Sequence, residues 1–214
     1  MTPQIVPAGE ARTQMRVSNS RFIATIAPAF SVTKAREFIT RIKAEFDDAT
    51  HNVPAFIIGH DSSFITHCTD DGEPSGTAGR PVLAVLQGSG LGDVVVVVTR
   101  YFGGTKLGTG GLVRAYGDAV RQVLEVVRRA EKVPTNLVSI TVPYHLFEQT
   151  RLLAISHGGL VRDENFAAEV VITAQFRVDG FPAFQDALRE LSHGQIAGSV
   201  IEVNEQTIMP LDKG

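Results

Sequence analysis

The chain reads as an α+β protein of two domains, and three observations predict this. Hydrophobic periodicity switches repeatedly between the strand and helix periods, a break falls at Lys132-Val133-Pro134-Thr135-Asn136, and the block after it follows the order βαββαβ. The domains are therefore placed at 1–133 and 134–214. The first has a two-layer α/β layout, and the second is the ferredoxin-like unit, an antiparallel sheet with two helices on one face.

Within the first block, Ala11–Val17 and Arg21–Ala27 read as strands joined by the turn signal Ser18-Asn19-Ser20. Ala35, Phe38, Ile39, Ile42, Phe46 and Ala49 recur at helical spacing after a Ser31 or Thr33 cap, with Arg36, Arg41, Lys43, Glu45 and Asp47 on the opposite side. VPAFIIG and FITHC follow as strands. Pro81–Gln87 is then a short helix, Asp93–Arg100 a strand and Leu112–Arg129 the longest helix.

The second block opens with the strand LVSITV. Leu146, Thr150 and Leu153 mark one face of a helix stopped by Gly158-Gly159. After LVRDENF, the residues Ala168, Val170, Ile172, Ala174, Phe176 and Val178 share one face of a half-buried strand. Phe181, Phe184, Leu188 and Leu191 step along one helix face, and SVIEVNEQ closes the sheet. His157 and His193 each precede a glycine at a helix C-terminus, where capping is the expected role.

At 214 residues and 43% hydrophobic content the chain can bury a core. Its one cysteine excludes an internal disulfide, and no signal-peptide run follows MTPQIVPAGEARTQ, so a reducing, cytoplasmic setting is expected. The apolar stretch Val94–Val98 is strand-sized, far short of the roughly 20 residues of a membrane helix. Residues 1–133 hold 15 Lys and Arg against 13 Asp and Glu, whereas 134–214 hold 5 against 10. The mildly basic first block draws attention as a polyanion-binding candidate.

Two loops in that block stand out. RYFGGTKLGTGG, Arg100–Gly111, crowds five glycines around Lys106 between a strand and a helix. Each glycine costs folding entropy, so the cluster points to tight turning or to close approach by a ligand. Gly103, Gly104, Gly108, Gly110 and Gly111 supply backbone N–H groups, Thr105 and Thr109 supply hydroxyls, and Arg100, Lys106 and Arg114 supply positive charge. Standard nucleotide patterns fail here. Gly103 and Gly108 have the P-loop spacing, but Thr109 and Gly110 stand where lysine and a hydroxyl are needed; Val113 takes the last glycine position of a dinucleotide loop.

The second loop, TDDGEPSGTAGRP, precedes the short helix. Pro81 must lie in that helix's first turn, which makes Thr77 about the earliest N-cap. Asp70, Asp71 and Glu73 are oxygen ligands suited to Mg2+ or Ca2+, so the paired loops could hold a metal and a phosphate. Equally, these acids could pair with Arg80, Arg100 and Lys106 as exposed salt bridges that only join the loops. If the two preceding strands run parallel in one sheet, both loops emerge at the same end.

Tyr101 and Phe102 place aromatic rings beside the cations, as single-stranded nucleic-acid binding uses. Adjacent side chains on a strand face opposite ways, so one ring, Phe102, is expected in the core. Arg114, Arg121 and Arg128 share a helix face, read as a solvated face supported by Arg121–Glu125 and Glu125–Arg129 in preference to a phosphate-tracking stripe. A nucleophile built from Cys68 and His67 is disfavoured because the two point to opposite faces.

Together, DDGEPSGTAGRPVL at Asp70–Leu83 and VVVTRYFGGTKLGTGGLVRAYGDAV at Val96–Val120 closely resemble the signature of the IMPACT family, in its bacterial YigZ-type branch. The resemblance implies a first domain similar to a domain of a small-subunit ribosomal protein and a second similar to a terminal domain of elongation factor G. It implies translation-linked regulation more than a reaction, with RNA, the ribosome or a translation factor as the partner. The leading expectation is a non-enzymatic binding protein without a cofactor. The alternative is a Mg2+-dependent enzyme acting on a phosphate-containing ligand at the two loops. Oligomeric state is left open.

Overall fold

A computed structural model describes residues 4–60 and 63–211. They form two compact units, one running up to Lys132 and resuming at Ile208, the other Val133–Thr207. The C-terminal end thus returns to the first unit instead of staying with the 134–214 block. Ile208 and Leu211 lie beside Ala8, Arg128 and Ala130.

The first unit begins with β1 (Ile5–Pro7), β2 (Ala11–Val17) and β3 (Ser20–Pro28), then α1 (Val32–Glu45), β4 (His51–His60) and β5 (Ser63–Cys68). It continues with α2 (Gly79–Gln87), β6 (Val94–Tyr101) and α3 (Gly108–Val126), ending in the first residues of β7 (Arg129–Val142). The sheet order is β2-β3-β6-β4-β5, and β1 pairs antiparallel with Arg129–Glu131. Ser18 and Asn19 have φ of 44° and 68°, the conformation of a two-residue hairpin whose twist matches its strands.

Val94–Val98 are all fully buried. A run of five valines leaves β6 no polar face to offer water, so both sides of the sheet must be covered. On one side α1 packs Ala35, Phe38 and Ile42 against Ala27, Phe56, Val95 and Val97. On the other, α2 and α3 pack Val82, Leu86, Leu112, Ala115, Tyr116 and Val120 against Phe22, Ala24, Ile26, Val94, Val96 and Val98. The unit therefore has three layers, one more than the two expected.

Both β5 and β6 run antiparallel to β4, which lies between them, so they are parallel to each other. The loops after these two strands therefore leave the sheet at the same end. The long helix starts at Gly108, four residues before its expected start, because Gly108–Gly111 form its first turn. It stops at Val126, since Arg129 is already strand.

The second unit contains the rest of β7, α4 (Tyr144–Ser156), β8 (Leu160–Phe166), β9 (Val170–Arg177), α5 (Phe181–Leu191) and β10 (Ser199–Pro210). Its strands lie in the order β10-β7-β9-β8, with β7–β9 and β9–β8 antiparallel. In β9 the residues Val170, Ile172, Ala174 and Phe176 are buried against Ala154 of α4 and Phe184 and Leu188 of α5, while their neighbours are half-buried. Phe176 stacks on Phe184 at 4.5 Å. His157 caps α4, its Nδ1 lying 2.9 Å from the Leu153 carbonyl, and His193 ends the segment after α5 with a positive φ. Among the described residues, no helix is long and apolar enough to cross a membrane.

The α1 start shows how a local signal becomes stability. The Ser31 hydroxyl accepts the Lys34 N–H at 3.1 Å, satisfying a helix donor that would otherwise be unpaired. Ser31→Ala is expected to lower stability by about 0.5–2 kcal/mol, measured by urea denaturation.

Candidate functional site

The acidic loop and the glycine loop converge at one end of the first unit, but the three acids do three separate tasks. Asp70 sits ahead of α2, whose N-cap position, Ala78, has no capping side chain of its own. Its carboxylate accepts the N–H groups of Gly76 at 2.8 Å, Ala78 at 3.1 Å and Gly79 at 2.8 Å. Burial alone would raise the Asp70 pKa, yet the three N–H donors and the nearby Arg80 charge outweigh it and hold the carboxyl below its ordinary range.

Asp71 turns the loop with φ of 48° and accepts the backbone N–H of Asn52 at 2.7 Å, while Lys43 of α1 pairs with its other oxygen. His51 Nδ1 meets the Asp71 carbonyl at 2.8 Å. Glu73 is buried. It receives Arg100 Nη1 at 2.6 Å and the Tyr116 hydroxyl at 2.7 Å, and His51 Nε2 lies 3.7 Å away. Burial, and then the bond to Glu73, raise the Tyr116 pKa, so this phenol stays protonated.

Asp70, Asp71 and Glu73 therefore do not converge on one point as a metal centre requires. Among the described residues, no three His, Cys, Asp or Glu side chains are grouped to hold a metal ion. Each carboxylate expected as a Mg2+ or Ca2+ ligand instead meets a protein partner here: a helix start, a strand N–H or a buried cation. Nor are the acids joined to the basic loop by exposed bridges with Arg80 and Lys106. Among the described residues, the ion pair that links the two loops is Glu73–Arg100, and both side chains are at most 5% exposed.

The direction of Arg100 fixes the side chains next to it. Turned inward, it also donates from Nη2 to Ser20 Oγ at 3.3 Å, so alternation sends Tyr101 to the opposite face of the sheet. There the Tyr101 ring lies under the Arg21 guanidinium at 4.1 Å, and its hydroxyl donates to Asp48 at 2.6 Å. Phe102 returns to the Arg100 side, but β6 has ended and no helix covers it. It is 45% exposed, with the Arg100 guanidinium 5.5 Å from its ring. The ring expected in the core is thus the exposed one.

The glycines have distinct uses. A Cβ at Gly103 would lie 2.1 Å from the Asn19 backbone, so this residue lets the glycine loop touch the β2–β3 turn, and its N–H donates to Ser20 Oγ at 3.2 Å. Gly104 turns the chain with φ of 85°. Gly108, Gly110 and Gly111 lie in the first turn of α3, which has no acidic residue and no side-chain cap. Thr105, Lys106, Thr109 and Arg114 are exposed, as is Arg80 on the neighbouring loop.

Other expected groupings change. Arg121 pairs with Asp118, not Glu125, and Arg128 lies beyond the end of α3, so no seven-spaced arginine face persists. The Cys68 thiol is pushed up by burial and by Asp70, the reverse of what a nucleophile needs. Sequence reasoning misses Ser20, Lys43, His51 and Asn52 as members of the site. They come from distant segments, and no local pattern announces their contact.

Residues 18–124 match the model of the Impact N-terminal domain, and residues 140–195 match a domain of unknown function, DUF1949. Over 203 residues the chain is 34% identical to IMPACT family member YigZ of Escherichia coli (strain K12), covering 94% of this chain and all of that protein. The chain belongs to the IMPACT family. Family member YvyE of Bacillus subtilis (strain 168) is 35% identical over 179 residues, 84% of this chain and 82% of its own. A solved structure described as a hypothetical protein is 34% identical, covers 94% of this chain and 98% of its own, and superposes with a TM-score of 0.62. Both loops of this IMPACT-family chain fall within the first of the two matched domains.

Two measurements probe the acidic loop. Arg100→Ala leaves Glu73 buried without its cation and is expected to cost about 3–5 kcal/mol in urea denaturation. For Asp70, a folded pKa below the unfolded value means that its stabilisation is complete above about pH 3.9 and is lost as pH falls through the folded value. Asp70→Asn should therefore show a shallower loss of stability between pH 5 and pH 2 than the parent protein.

Proposed function

We propose that the chain is a non-enzymatic, translation-associated regulator that acts by binding RNA through its first unit. One observation carries the reading. The acids of the site are consumed internally, while Arg80, Lys106, Arg114 and the Phe102 ring are each exposed and the start of α3 carries no side-chain cap. Cations contribute phosphate affinity, a helix N-terminus accommodates an anion, and an exposed ring offers base stacking of roughly 1–3 kcal/mol. Membership of the IMPACT family supports translation as the setting.

A phosphate-ligand enzyme would draw on the same glycine loop, but the three carboxylates that could bring a metal there are committed to partners within the fold. The binding reading fits the side chains that are left. It also accounts for Gly103, which lets the loop lie against a hairpin turn.

The test is fluorescence anisotropy with labelled single-stranded RNA at 50–200 mM salt. Affinity is expected to fall steeply with salt, and Lys106→Ala to weaken binding and reduce the salt slope by about 0.7, as for one lost phosphate contact. Phe102→Ala should weaken binding while leaving the slope unchanged. No RNA binding at 50 mM salt would sink the proposal.

A further inference from the structure

Beside the glycine loop, the β2–β3 hairpin places Arg16 directly opposite Arg21 in the cross-strand register. Side chains so paired have Cβ atoms about 4.5–5.5 Å apart, and like charges there are destabilising. Arg12, four residues earlier on the same face, is matched to Glu45, but neither Arg16 nor Arg21 forms an ion pair with a carboxylate among the described residues. Asp48, at this end of the sheet, receives the Tyr101 hydroxyl instead. The fold thus carries a like-charge pair that no carboxylate among the described residues neutralises.

The pair also has an aromatic floor. Arg21 is opposite Tyr101 in the β3–β6 register and stacks on its ring at 4.1 Å. A guanidinium held over a ring leaves its outer face for a base, and the neighbouring Arg16 adds N–H groups for a phosphate. Arg16 next to it is exposed. Gly103 seats the glycine loop against the Asn19 backbone of the same hairpin turn, so this turn lies between the loop and the arginine pair.

Resting on the proposed RNA-binding function, we propose that Arg16 and Arg21 form a second phosphodiester site for single-stranded RNA, with a base stacked on the Arg21 guanidinium over Tyr101. The repulsion between the two arginines is relieved by the bound phosphate. The chemistry favours RNA over an acidic peptide because the stacked guanidinium offers a flat face that a carboxylate side chain does not use.

The experiment measures binding of labelled 12-nucleotide oligouridylate to the full chain and to Arg16→Gln, Arg21→Gln and Lys106→Ala, together with thermal melting. Each arginine variant should weaken RNA binding at least threefold and lower the salt slope by about 0.7. Arg16→Gln should melt at the same or a higher temperature, because it removes a like-charge contact; a merely structural arginine would lower it. If Lys106→Ala weakens RNA binding while both arginine variants leave affinity and slope unchanged, the second site is refuted and the loop reading stands. If only the arginine variants weaken binding, the second site stands without the loop. No RNA binding by the parent chain overturns both, and so would displacement of RNA from the arginine variants and the parent alike by oligoglutamate at equal concentration.

Discussion

The Arg100 side chain turns inward at the end of β6, and much of the first unit's functional end depends on that choice. It neutralises Glu73, which in turn receives the Tyr116 hydroxyl from α3, so one ion pair ties the acidic loop to the sheet and to the long helix. Burying two charges is costly and is tolerated only with close geometry and further hydrogen bonds, which Ser20 and Tyr116 contribute. Alternation from Arg100 then assigns Tyr101 to one face and Phe102 to the other. The exposed aromatic, the stacked aromatic and the internal acid all derive from one side-chain direction.

Behind that end stands a sheet that cannot slip. Five consecutive buried valines make β6 a central strand with helices on both faces, and β4 aligns β5 parallel to it. Two loops separated by a helix and a strand in sequence become neighbours because the strands before them point the same way. Acid and base are then sorted by depth: the carboxylates work within the structure as cap, turn and buried partner, and the cations that remain outside define the surface.

Much of this architecture is legible in the sequence. Period-2 and period-3.6 patterns locate the hairpin, α1 with its Ser31 cap, and the βαββαβ order of the second block, because each is set by contacts within a few residues or by one buried face. The two signature loops are legible as well, and so is their shared family. Less legible is the role of each acid. Asp70 caps a helix from eight and nine residues before the N–H groups of Ala78 and Gly79, outside any standard cap spacing. Lys43 and Asn52, the partners of Asp71, lie 28 and 19 residues away.

The sequence by itself determined the elements, the division near residue 133 and the cluster of glycines around Lys106, since periodicity, turn residues and composition are local properties. Only the tertiary structure decided the third layer, the inward turn of Arg100, the exposure of Phe102 and the opposition of Arg16 to Arg21. These depend on which strands pair and in what register. A one-residue change of register would exchange the faces of a strand, so no stretch read alone could have settled them.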